Sequence, residues 1–99
     1  MAKLWLDDER PVPDGWVLAK TAIEAITELR RQEFEVVSLD HDLGEENGSG
    51  YDVLLYLEAQ VFTNPDFKCP EILIHSANPS GRQRMQLAIG SINRRLGRP

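Results

Sequence analysis

Three short runs, Lys3 to Asp7, Val36 to Asp40 and Ile72 to Ser76, share one form: apolar and β-branched residues leading into a polar one. Runs of this length and composition predict buried parallel strands. Two segments between them have helical periodicity. Thr21 and Glu24 form a capping-box pair for Ile23, Ile26 and Leu29, and Ser49 and Asp52 form another ahead of Val53, Leu54 and Leu57. A last helix starting near Pro79 and Ser80 is expected to bury Met85, Ala88, Ile89, Ile92 and Leu96, whose spacing marks one face. Trp16 to Ala19 predicts a further short strand after the loop from Glu9 to Gly15, where Pro11 and Pro13 exclude a regular helix. Parallel strands usually need a crossover of about a dozen residues or more. A loop this short either returns as coil or turns the strand antiparallel, and the coil return is favoured. Glu45 to Gly50 reads as a mobile loop beside the third strand.

With 99 residues, 41% of them apolar, the chain can enclose one modest core, so a single domain over residues 1–99 is expected. No charged-then-apolar leader is evident, and no apolar run approaches the roughly 20 residues of a membrane span. A soluble, cytoplasmic protein is the expectation. Cys69 is the sole cysteine, which rules out an internal disulfide, argues against a cysteine-built zinc site and leaves a small apolar filler just ahead of a strand. The net charge of −5 is unevenly spread. Residues 1–76 hold all 16 carboxylates, whereas Arg82, Arg84, Arg94, Arg95 and Arg98 face no acid in residues 77–99. An acidic surface of this kind disfavours extended duplex nucleic acid as a partner, and a small phosphate ligand fits better.

Ligands of open parallel sheets bind outside the carboxyl ends of the strands, where strand order reverses. If the order is 2-1-3-4, that crevice collects Asp7-Asp8, Asp40-His41-Asp42 and His75-Ser76. Any one aspartate could be a turn former or a helix cap, but two acidic groups converging from separate strands carry more weight. Unpaired, four carboxylates repel one another, a cost that a divalent cation removes. Oxygen ligands with room for water suit Mg²⁺ or Mn²⁺. The turn from Ser76 to Arg84 leads into a helix N-terminus, where backbone N–H groups favour an anion. Ser76, Asn78, Arg82 and Arg84 are therefore candidate phosphate-binding residues. Arg94, Arg95 and Arg98 read as favourable charge at a helix end and a solvated tail. Trp5 and Trp16 read as packing residues, with Trp16 or Tyr51 available to stack on a base.

The Asp7-Asp8 pair, Asp40 and Ser76-Ala77 occur in the order found in response-regulator receiver domains, and Val17-Leu18-Ala19 followed by Glu24-Ala25-Ile26 resembles their second strand and helix. The stretches LWLDDERPVPDGW, SLDHDLG, GYDVL and IHSANPSGRQRM more closely resemble the cyclic-phosphate processing receiver domains, over nearly the whole chain. The resemblance implies a truncated receiver-like, flavodoxin-like α/β three-layer sandwich: four mostly parallel strands in order 2-1-3-4 with about three helices, lacking the receiver first helix and fifth strand. It also implies action on a cyclic nucleotide or an RNA terminus. The expected chemistry is metal-dependent hydrolysis of a cyclic phosphate to a phosphomonoester. Asp7, Asp8, Asp40 and Asp42 would hold the metal, with His41 as acid and His75 as base, or with Asp40 as a nucleophile as in receivers. The rival expectations are a non-catalytic receiver-like module docking a protein partner, and a protein that sequesters a cyclic nucleotide.

Overall fold

The computed structural model describes residues 2–44 and 46–98. Its elements run β1 (Ala2–Leu6), β2 (Val17–Ala19), α1 (Ala22–Arg31), β3 (Phe34–Leu39), α2 (Gly50–Thr63), β4 (Glu71–Ile74) and α3 (Pro79–Leu96). The strands form one sheet in the order β2-β1-β3-β4, and every pairing is parallel. β2 is thus reached through the coil return, without a helix. This is the truncated receiver-like α/β fold.

Strand order dictates where the helices go. Both β2-α1-β3 and β3-α2-β4 step in the same direction across the sheet, so right-handed crossovers lay α1 and α2 on one face. The alternation of side chains agrees. Leu4, Leu6, Ala19, Val37 and Leu39 join Ala25, Val53, Leu54, Leu57, Met85 and Ile92 in a single core. The other face carries Lys3, Trp5, Leu18, Val36, Ser38 and Leu73, and Leu18 and Leu73 are exposed. A third layer was expected, but among the described residues no helix builds it. The segment that would cover this face is the proline loop, and Trp16 at its end reaches only the edge of Trp5, with ring centroids 5.6 Å apart.

Helix starts follow the sequence. Thr21 caps α1 by accepting from the Glu24 N–H, and Ser49 and Asp52 complete a reciprocal capping box on α2. Asn78 caps α3, with Pro79 in the first turn, so the helix starts where expected. Three side chains depart from expectation. Ile23 is 77% exposed, because α1 turns Ala22, Ala25 and Leu29 inward instead. Leu96 is also exposed, because the last turn of α3 extends past the core. Arg98 is not in a solvated tail, since its guanidinium donates to the carbonyls of Cys69 and Pro70. Cys69 is buried beside β4, and burial pushes its thiol pKa up, as expected of an inert filler. Of the loop expected over Glu45 to Gly50, Glu45 lies outside the described residues. Asn47 ties the rest down by accepting from the Ala22 N–H and donating to the Leu43 carbonyl.

A close approach fixes α2 against the site. A Cβ on Gly50 would overlap the backbone carbonyl oxygen of Asp40 and press on the Met85 methyl. Gly50→Ala is therefore expected to lower stability by about 1–3 kcal/mol, the usual range for an overpacked core position, as read by urea unfolding. A loss under 0.5 kcal/mol would show that α2 is free to shift.

Candidate active site

Three backbone hydrogen bonds align the strand ends. The N–H of Asp7 donates to Ala19, that of Asp40 to Leu6, and that of His75 to Leu39, each at 3.0 Å. Asp7, Asp40 and His75 each lie two residues beyond the bare-face residues Trp5, Ser38 and Leu73, an even step that keeps them on that face. They therefore project on the same side of the carboxyl edge, and their ligand atoms lie within 4.8 Å of one another.

Asp7 is 1% exposed and both its oxygens are used. Oδ1 accepts from the backbone N–H groups of Glu9 and Arg10, each at 2.9 Å. Oδ2 accepts from the Arg10 guanidinium at 3.1 Å and lies 3.0 Å from His75 Nε2. Burial by itself raises the Asp7 pKa, but these four hydrogen bonds outweigh it and bring the carboxyl below its usual range. The same Arg10 nitrogen reaches Asp40 Oδ2 at 3.5 Å, so one guanidinium bridges the two acids. Asp40 Oδ1 faces the Asp42 N–H.

The position of His75 follows from a small residue. Ser38 sits on β3 between β1 and β4, and its short side chain lets Trp5 and His75 lean together above it. The two rings lie almost parallel, 3.8 Å apart, and the Ser38 hydroxyl is 2.7 Å from His75 Nδ1. Desolvation lowers the His75 pKa, and the opposing pull of Asp7 only partly offsets it. Neutral imidazole with its proton on Nε2 satisfies both contacts: Nε2–H donates to Asp7 and Nδ1 accepts from Ser38.

His41 belongs to a different group. Its Nδ1 lies 2.9 Å from Asp42 Oδ1, and Asn78 Nδ2 donates to the same oxygen at 3.3 Å. The hydrogen bond from His41 lowers the Asp42 pKa against a weaker opposing effect of burial, with Asn78 assisting. Gly81 makes room for the ring, since a Cβ there would strike the imidazole. Asp42, mostly exposed, stands outside the Asp7–Asp40–His75 cluster, so the structure splits the expected metal ligands and sets the two histidines apart.

Asp8 lines an open cleft of about 320 Å³ together with Glu9, Arg10, Asp40, Asp42, Gly44 and Ala77. A second hollow, which includes His41, shares Asp42 and Gly44 with it. Ser76 is buried; its hydroxyl accepts from the Asn78 N–H and its carbonyl from Arg82. The α3 N-terminus offers an anion less than expected, because Pro79 has no N–H and the Gly81 N–H is taken by the Asn78 side chain. Arg84 rests on the Tyr51 ring at 4.6 Å, which engages both residues in packing α3 on α2. Sequence reasoning missed Arg10, Ser38 and the role of Trp5. The signals were present: an acid and an arginine three residues apart, and a lone polar residue inside a buried strand, which must find a partner.

A family model described as cyclic-phosphate processing receiver domain matches residues 2–91. The chain belongs to that family. Comparisons with curated proteins and with solved structures gave no match. Among the described residues of this receiver domain no helix is long and apolar enough to cross a membrane.

In the receiver domain kept in chelator, NMR of the imidazole nitrogens is expected to find the His75 proton on Nε2 at pH 7 and a titration midpoint below the ordinary value of about 6.5. The folded state then resists a proton that the unfolded chain accepts. The contribution of His75 to stability is complete above about pH 6.5 and is lost as the pH drops from there through the lowered folded value. A midpoint at or above 6.5 would contradict the burial argument.

Proposed function

We propose that this receiver domain is a metal-dependent phosphoesterase that hydrolyses a cyclic phosphate, a 2′,3′-cyclic nucleotide or an RNA-end cyclic phosphate, to a phosphomonoester. The observation that carries the reading is the cluster of Asp7, Asp40 and His75 within 4.8 Å, opening beside Asp8 onto a cleft. Two carboxylates and an imidazole, with a further carboxylate on the cleft wall, fit a divalent cation. Mg²⁺ or Mn²⁺ is expected, and the nitrogen donor favours Mn²⁺. When bound, such an ion supplies positive charge that offsets the carboxylates and Lewis acidity toward a phosphoryl oxygen.

The protein's own groups do the rest. With its proton moved to Nδ1, His75 would donate to Ser38 and turn Nε2 toward the acids, the arrangement in which a hydrogen-bonded neighbour orients a ligating histidine. In this reading His75 serves as a ligand and not as the base. His41, held through Nδ1 by Asp42, keeps Nε2 to hand a proton to the departing ribose oxygen. The reaction takes up one water, breaks one P–O bond and leaves the proton on the freed hydroxyl.

One observation favours a second reading. Arg10 already bridges Asp7 and Asp40, so the acids coexist without an external ion, as a non-catalytic module would require. Phosphorus NMR of 2′,3′-cyclic nucleotides with purified protein and Mn²⁺ separates the two. A growing monoester resonance that chelator suppresses supports hydrolysis, and an unchanged spectrum supports the module. If hydrolysis is seen, His41→Ala is expected to slow it by roughly 10²–10⁴-fold, the range for lost proton transfer, and Asp7→Asn to lower both Mn²⁺ affinity and rate.

A further inference from the structure

The Arg10 guanidinium stands where a cation's charge is needed. One of its nitrogens is 3.1 Å from Asp7 Oδ2 and 3.5 Å from Asp40 Oδ2, and both oxygens belong to carboxylates that are less than a tenth exposed. A divalent ion drawing on those oxygens would meet the guanidinium at contact distance, where two positive charges in a partly desolvated site repel strongly. The two cannot share the oxygens.

Arg10 also has somewhere to go. Its side chain is 45% exposed, and the residue forms part of the cleft wall with Asp8, Glu9 and Ala77. Its backbone N–H remains bound to Asp7 Oδ1, so the side chain can swing outward while the loop keeps its grip on the carboxylate. The neighbouring acids Asp8, Glu9 and Asp42 line the route.

We propose that Arg10 is a built-in counter-cation that holds Asp7 and Asp40 together until a divalent ion displaces it, and that the displaced guanidinium then stands at the cleft mouth. This rests on the metal reading above but goes beyond it, because it assigns to one residue the opposition to metal uptake. Arg10 is a positioning residue here; it organises the carboxylates and does not react.

Isothermal titration with Mn²⁺ of the full chain, of Arg10→Ala and of Arg82→Ala tests it. Arg82→Ala removes the same charge, from a guanidinium that bonds the Ser76 carbonyl and, among the described residues, no carboxylate. Arg10→Ala is expected to bind Mn²⁺ about tenfold more tightly than the parent, the scale of one hydrogen bond to a charged group, while Arg82→Ala stays within about threefold, as for a screened, more distant charge. In parallel, Mg²⁺ should move the Arg10 Nη1 resonance from that of a guanidinium nitrogen bonded to carboxylates to that of a solvent-exposed one. Equal tightening in both variants reduces the effect to net charge and overturns the proposal, as does unchanged or weaker binding in Arg10→Ala or an Arg10 resonance that ignores Mg²⁺. Absence of Mn²⁺ binding in all three proteins overturns the proposal and the metal reading together, whereas the other outcomes leave the metal reading intact.

Discussion

A single desolvated charge organises the strand ends: the carboxylate of Asp7, 1% exposed. A buried carboxylate is tolerated only when paired and fully hydrogen-bonded, and its four hydrogen bonds tie together three parts of the molecule. The backbone N–H groups of Glu9 and Arg10 curl the proline loop around Oδ1. The guanidinium reaches on to Asp40 and so ties β1 to β3. His75 brings in the end of β4. Loss of the charge would leave donors from the loop and from the end of β4 without this acceptor.

The first helix of a receiver is missing, and the loop that replaces it is what surrounds Asp7. Among the described residues the exchange leaves one sheet face without a helical layer, and apolar side chains such as Leu18 and Leu73 stay exposed. What the molecule retains is a row of three strand ends, aligned by interstrand hydrogen bonds and backed by a close-packed α2. The glycine at position 50 belongs to the same economy of space, since any side chain there would push the helix away from the Asp40 backbone.

Much of this was legible in advance. Polar residues closing apolar runs marked the strand ends, and capping pairs marked α1 and α2, because both signals are local and have a fixed period. The strand order was implied by the resemblance to receiver domains, and given that order the meeting of Asp7 with Asp40 followed from the rule that polar groups gather outside the carboxyl ends of parallel strands. What stayed hidden was not local. The reach of Arg10 depends on how a loop with two prolines turns back. The separation of His41 from His75 depends on alternation past the strand end: position 75 follows the bare face, whereas His41 leaves β3 one residue later than Asp40 and turns toward α3. Ile23 misled because an alanine-lined stripe beside it packs closer to the sheet than an isoleucine stripe could.

The stacking of Trp5 on His75 couples a large chromophore to the acidic edge. Their near-parallel faces mean that a change in the tilt or charge of the imidazole is felt by the indole, and through the edge contact by the second tryptophan. The intrinsic fluorescence of the domain is thus a local gauge of its strand-end chemistry, not a general measure of foldedness, and replacing Trp5 by another aromatic to simplify a spectrum would disturb the very group being watched.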